Sequence, residues 1–301
     1  MTWHTFPAPA KLNLFLHVVG RRPDGYHLLQ TAFTFIDLAD EIRLRVRHDG
    51  RIQLHTPLPG VPSSHDLTVR AAQALQQASN CALGVDIAYT KHIPQGGGLG
   101  GGSSNAATVL MALNQLWATG LSRASLQALA LPLGADVPLF VFGKSSFAEG
   151  VGEILQEIEL PPHAFLLIAP QVSVPTPEIF ADSGLTRNTK PVKIAPFKRM
   201  ASESGSLLAS AEALFLTAQW RNDLAAVAMR LYPEVAHALM WLKDHSAGQI
   251  GEPRMSGSGA CVFAAYENKA AAIQAQQALP QDLPSWVVMS YNAHPLCGLV
   301  D

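Results

Sequence analysis

The sequence predicts an α+β protein in two lobes. Its 301 residues are enough for one large domain or two ordinary ones. Apolar residues make up 48 % of the chain, so a sizeable core can form. Strand-like apolar runs lead each half, KLNLFLHVV from Lys11 and AFLLIAPQ near residue 160, and helical and strand patterns are mixed in between. No internal repeat is present.

In chain order, Lys11 to Val19 reads as a strand and RRPDGYH, with Pro23, Asp24 and Gly25, as a turn. HLLQTAFTFID and EIRLRVRHD read as two further strands, the second half-exposed, with RIQLHTP as a short partner. Asp66 to Ser79 reads as a helix with Asp66 at its N-cap. GVDIAYTKHIP is a strand ending at Pro94. A glycine run follows, then a helix from Ala106 to Trp117 with Ala106, Val109, Leu110, Leu113 and Leu116 on one face. A second helix lies near Ser122 to Ala130, and ADVPLFVFG and SFAEGVGEILQEI read as strands. In the second half, Ala181 to Ser206 reads as a mobile polar loop. WRNDLAAVAMRLYPEVAHALMWLKDH holds one or two helices, RMSGSGACVFAAY a glycine-serine turn leading into a strand, NKAAAIQAQQAL a helix and SWVVMSY a strand.

The formal net charge of −2 argues against a basic field for nucleic acid, so an anionic ligand has to be held by local groups. Cys81, Cys261 and Cys297 are odd in number, far apart and show no CxxC spacing. They read as free thiols in a reducing compartment, and together with the lack of a signal peptide or an apolar span this places the chain in the cytoplasm, with no membrane partner.

Six glycines occupy the seven positions from Gly96 to Gly102, interrupted by Leu99 and followed by Ser103 and Ser104. Gly96, Gly98 and Gly101 satisfy GxGxxG, but no Asp or Glu occurs between Gly96 and Ala135 to hold a ribose, which disfavours a dinucleotide-binding oxidoreductase. No lysine follows the glycines. The GKS at Gly143 to Ser145 has Pro138 where a P-loop needs glycine, and no protein-kinase motif is present. Ordered glycines cost roughly 0.5–1 kcal/mol each against alanine, so something should require them. A strand running into glycines, serines and a helix start can close bare backbone N–H groups on an oxyanion, with the helix dipole and the two hydroxyls adding to the attraction. A phosphate cradle fits this better than a flexible linker.

Lys11 is the only Lys, Arg, Asp or Glu in the first twenty residues, and Asp136 the only one between Arg123 and Lys144. An isolated charge in an apolar stretch is costly unless paired. Two readings fit: a structural salt bridge, with Asp136 also serving as a turn residue before Pro138, or a catalytic pair. The nearby phosphate loop favours the second, in which a carboxylate takes a hydroxyl proton during phosphoryl transfer and a lysine holds it ionised.

Taken together, PAPAKLNLFLHVVGRRPDGYH, IPQGGGLGGGSSNAA, LGADVPLFVFG, FAEGVGE, LTRNTK, NDL and MSGSGA resemble the GHMP kinase superfamily, in order from about residue 8 to 260. The first and third of these resemble the branch that phosphorylates a cytidine-diphosphate-linked methylerythritol. The resemblance implies an N-terminal lobe (1–158) like ribosomal protein S5, a ferredoxin-like C-terminal lobe (159–301), and a site between them. It implies ATP with Mg²⁺ and a small-molecule substrate. By the same resemblance Asp136 is the base for the 2-hydroxyl, with Lys11 orienting it. Pro94, Gln95, Gly96, Gly97, Gly98, Leu99, Gly100, Gly101, Gly102, Ser103 and Ser104 hold the phosphates. Lys91 and Asp66 lie near the adenosine, although Asp66 stands where the family often has Asn. Asn13, Tyr26, His27, Thr176 and Phe180 meet the cytidine diphosphate. Gly257 to Gly259 approach from the second lobe. Without the resemblance, Tyr26 and His27 read as turn flanks and Phe180 as a core aromatic. The sequence assigns no oligomeric state and no direct metal ligand.

Overall fold

The computed structural model describes residues 2–193 and 218–300. Strand β1 (His4–Arg21) pairs antiparallel with β2 (His27–Arg47), the RRPDGY turn closing the hairpin. The two strands expected over residues 27–49 are one continuous strand, because Leu38 and Asp40 between them are buried and Ala39 and Asp40 stay paired with β1 across a bulge. The length of β2 lets it pair with β1, β4 (Gly84–Thr90), β5 (Ser146–Glu149) and β10 (Ser285–Tyr291). The short β3 (Ile52–Leu54) lies parallel to β4, and β6 (Ile154–Glu157) forms a hairpin with β5.

Helix α1 (Leu67–Ser79) starts at Asp66, whose carboxylate accepts the Thr68 N–H as an N-cap should. Helix α2 (Gly101–Leu116) begins five residues earlier than its apolar pattern suggested, inside the glycine run. Its middle, from Ala106 to Leu113, is wholly buried, so the helix is a core element rather than a surface one. Helix α3 (Arg123–Ala130) is capped by Ser122. The run ADVPLFVFG, expected as a strand, folds as helix α4 (Val137–Phe142), with Pro138 in its first turn and Gly143 in the left-handed conformation behind its end. A short apolar run does not distinguish strand from buried helix by periodicity, but the proline–glycine bracket favours the helix.

In the second half β7 (Ala164–Ile168), β8 (Gln249–Met255) and β9 (Val262–Tyr266) extend the sheet in the order β10-β7-β9-β8. Both faces of β7 are covered. Ala164, Leu166 and Ile168 pack with α5 (Thr176–Ala181), α6 (Ala225–Leu231), α7 (Pro233–Asp244) and α8 (Lys269–Gln277). Phe165 and Leu167 pack with Leu12, Leu14 and Phe15 of β1. This is why AFLLI is continuously apolar instead of alternating. The loop expected over 181–206 is irregular from residue 182 to 193, and its remainder lies outside the described residues. Among the described residues no helix is long and apolar enough to cross a membrane, and all three cysteines are unpaired.

Candidate active site

The alternation of β1 buries Leu12 and Leu14 in the core and leaves Lys11 and Asn13 on the side of a cavity of about 780 Å³. A register shift between Asn13 and Phe15 then turns Phe15 back into the core. The Lys11 ammonium donates to the Gly98 carbonyl at 2.8 Å and to Asn13 Oδ1 at 2.5 Å, and lies 3.4 Å from Asp136 Oδ2. Asp136 occupies the residue before α4, yet its side chain caps no N–H there and is 36 % exposed. Its carboxylate therefore opens on the cavity. Lys11, in contrast, is buried.

The glycine run is held between β1 and the segment after β8. Leu99 plugs the core, and its carbonyl accepts the Lys11 N–H at 3.0 Å. The Gly96 and Gly97 carbonyls accept from Ala260 and Cys261, and the Gly98 carbonyl accepts the Ser256 hydroxyl. Two glycines are needed for close approach. A Cβ on Gly98 would stand 2.0 Å from the Ser256 carbonyl oxygen, and one on Gly100 would stand 2.9 Å from the Phe140 ring and 3.2 Å from Lys11 Cε. Both have positive φ, 71° and 72°. Part of the glycine requirement thus comes from the protein's own packing as well as from any phosphate. Gly100 is also the N-cap of α2 and supplies no side-chain cap, leaving the first-turn amides free for an anion.

The expected ATP-side residues divide. Gly96, Gly98, Gly100 and Ser103 line the cavity, and Gln95 and Gly102 are exposed. Gly101 is half-buried, with Lys91 Nζ beside it, and Pro94 is half-buried. Two of the expected residues are enclosed. Ser104 is fully buried, and its hydroxyl has no partner among the described residues. Asp66 is buried with both oxygens occupied, by Thr68 on one side and by the Tyr89 hydroxyl at 2.6 Å on the other. Tyr89 is correspondingly pushed well above its ordinary pKa by burial and by Asp66.

The residues expected at the substrate end all line the cavity. Asn13, however, sits at the Lys11 end, its amide donating to Thr31 Oγ1 at 3.0 Å while its oxygen holds Lys11. His27 stacks on Phe180 with ring centroids 4.9 Å apart, and Tyr26 at the turn is 65 % exposed. The Thr176 and Ser258 hydroxyls share a bond of 2.7 Å. The sequence reading overlooked Asp40, a buried carboxylate that pairs with Lys91 and accepts the His92 and Ile93 amides, fixing the path from β4 into the glycines. Nothing in LADE distinguishes it, because Asp37 and Glu41 beside it look alike. Asn222, within the NDL stretch, donates to the Met255 and Gly257 carbonyls and shapes the third glycine turn. Cys261 lies under the loop, its thiol pushed up to about 12 by burial against a small opposing pull from Lys11, so it is no nucleophile.

Residues 66–144 match the GHMP kinases N terminal domain and residues 199–285 the GHMP kinases C terminal domain. The chain is 52 % identical over 295 residues to 4-diphosphocytidyl-2-C-methyl-D-erythritol kinase of Thiobacillus denitrificans, spanning 98 % of each. It is likewise 52 % identical over 300 residues to the Bordetella parapertussis kinase of the same name, covering all of this chain and 94 % of that one. The chain belongs to this kinase family. A crystal structure of 4-(cytidine 5'-diphospho)-2C-methyl-D-erythritol kinase superposes with a TM-score of 0.75 at 36 % identity, over 95 % of this chain and 99 % of that one. Mevalonate kinase of Methanococcus jannaschii shares the fold alone, at a TM-score of 0.66 and 15 % identity. The kinase has the two GHMP domains, and its glycine loop and Lys11–Asp136 pair lie within one cavity.

Proposed function

We propose that the kinase transfers a phosphoryl group from ATP to the 2-hydroxyl of 4-diphosphocytidyl-2-C-methyl-D-erythritol, in the methylerythritol phosphate route to isoprenoids, with Asp136 as the base. The observation that carries this is the Lys11–Asp136 contact at the edge of the glycine loop, with the carboxylate open to the cavity. Asp136 accepts the hydroxyl proton. Lys11, anchored on Gly98 and Asn13, fixes the carboxylate's position and brings positive charge next to the transferring phosphoryl group. ATP supplies that group, and the uncapped start of α2 with the amides of the glycine loop suits its phosphates. Mg²⁺ would accompany the nucleotide and offset the charge of its phosphates. At the far end His27 and Phe180, stacked on each other, form an aromatic wall suited to a pyrimidine. We place the lobe boundary between residues 158 and 159, in the connection from β6 to β7, and the kinase in the cytoplasm, which the unpaired cysteines favour.

An ATP-coupled assay on a substrate panel tests this reading. Turnover of the cytidine-linked diol is expected. Turnover of mevalonate or homoserine in its place would overturn the assignment.

A further inference from the structure

Arg187 lies in the irregular stretch after α5 and had no role in the sequence reading beyond its place in LTRNT. Four of the five N–H donors of its guanidinium have partners. One terminal nitrogen donates to the Phe180 carbonyl at 2.9 Å and the Asp182 carbonyl at 2.7 Å, and the other to the Leu185 carbonyl at 3.1 Å. Nε donates to His27 Nε2 from 3.0 Å. A guanidinium has no lone pair to offer, so the bond exists only if His27 Nε2 accepts. Neutral imidazole has one N–H, and it must then sit on Nδ1. Burial, with the Arg187 and Arg21 cations beside the ring, lowers the His27 pKa below its ordinary value and keeps it neutral. Nδ1 has no protein partner among the described residues, and His27 lines the cavity. The same arginine fixes the backbone of Phe180, the ring stacked on His27.

We propose that Arg187 is a positioning residue for base recognition: by occupying His27 Nε2 it sets the Nδ1–H tautomer, so that the imidazole offers a hydrogen-bond donor to the acceptor edge of the cytosine ring, its O2 and N3. This rests on the reading that His27 and Phe180 hold the pyrimidine. Without Arg187 the ring is free to adopt either tautomer and turns an acceptor toward those acceptor atoms in part of the population.

Long-range ¹H–¹⁵N spectra of the full chain with ¹⁵N-labelled histidine test this directly, recorded near pH 8, above the ordinary histidine pKa of about 6.5. His27→Asn assigns the resonance. In the wild type His27 is expected to show a protonated Nδ1 and a bare Nε2, and a protonated Nε2 overturns the proposal without any variant being needed. In Arg187→Met the tautomer signature is expected to shift toward Nε2–H, and KM for the cytidine-linked substrate to rise about tenfold, the loss of one hydrogen bond, with kcat little changed. Asp182→Asn loosens the same loop without touching His27 and is expected to leave tautomer and KM alone. If it reproduces the Arg187→Met effects, Arg187 acts through the loop and the proposal fails. His27→Ala separates the two layers. An unchanged KM sinks the pyrimidine reading itself, whereas a raised KM with the wrong wild-type tautomer sinks only the role of Arg187.

Discussion

The Lys11 ammonium lies 3.4 Å from the Asp136 carboxylate and bridges it to the Gly98 carbonyl 2.8 Å away. One buried cation thereby ties β1, the glycine loop and the start of α4 to a single point. The pair is asymmetric, because among the described residues Lys11 has three partners and Asp136 one. That asymmetry suits a lysine that positions and a carboxylate that remains free to take a proton. Asp136→Asn is therefore expected to lower kcat by about 10²–10⁴-fold while the circular dichroism spectrum and Tm stay near wild type. Lys11→Met is expected to lose most activity and also stability, since it leaves the Gly98 carbonyl and Asn13 Oδ1 short of a donor. Near-normal turnover by Asp136→Asn would remove it from the role of base.

Gly98→Ala is expected to be the most damaging single-methyl change in the loop. The added carbon would meet the Ser256 carbonyl oxygen at 2.0 Å from a backbone with φ of 71°. The cost is about 1–3 kcal/mol of backbone strain, with displacement of the loop on top. Thermal denaturation should show the loss of stability and a nucleotide titration a weaker affinity for ATP. Gly102→Ala, whose Cβ meets nothing nearer than Leu67 Cδ1 at 3.6 Å, is the matched control and should be tolerated.

The two serines after the glycines should behave oppositely. Ser103 lines the cavity and Ser104 is enclosed with an unpartnered hydroxyl. Ser103→Ala is expected to raise KM for ATP. Ser104→Ala removes a buried polar group whose desolvation costs about 1–3 kcal/mol, so it should leave KM unchanged and Tm the same or higher. A raised KM for ATP in Ser104→Ala would mean that its hydroxyl reaches the nucleotide after all.

Stability should fall on acidification through a residue remote from the chemistry. His294 is buried, its Nδ1 accepts the Leu296 N–H, and burial with the neighbouring Arg123 lowers its pKa to about 3. The unfolded chain then binds this proton from about pH 6.5 downward while the folded protein refuses it. The contribution is complete above pH 6.5 and is lost as pH falls toward 3, with a slope of about 1.4 kcal/mol per pH unit from this group. His17, lowered by burial against the pull of Asp223, adds in the same direction. Tm measured by calorimetry across this range should decline, and less steeply in His294→Phe. An equal slope in that variant would exclude His294 as the source.

Much of this was legible one residue at a time. The N-cap at Asp66, the hairpin turn at RRPDGY and the strand at AFLLI follow from local rules, because cap, turn and apolar run act within a few residues of themselves. ADVPLFVFG is ambiguous in sequence because an apolar run of that length satisfies both strand and buried helix, and only Pro138 in the first turn and Gly143 behind the end separate the two. The junction over Leu38 to Asp40 was misread because acidic residues usually mark a break. Here Asp40 is buried to anchor Lys91 and the His92 and Ile93 amides, partners that are distant in sequence.

The sequence by itself determined the kinase family, through the resemblance of its motifs, and also the lone charges at Lys11 and Asp136 and a glycine loop opening a helix, since spacing is a local property of the chain. Only the tertiary structure decided that Lys11 and Asp136 meet, that Gly98 is glycine because Ser256 presses on it, that Ser104 is enclosed, and that Arg187 reaches His27. Each of these depends on the direction in which a side chain leaves its strand or helix and on what a remote segment places opposite it, and packing settles both only when the whole chain has folded.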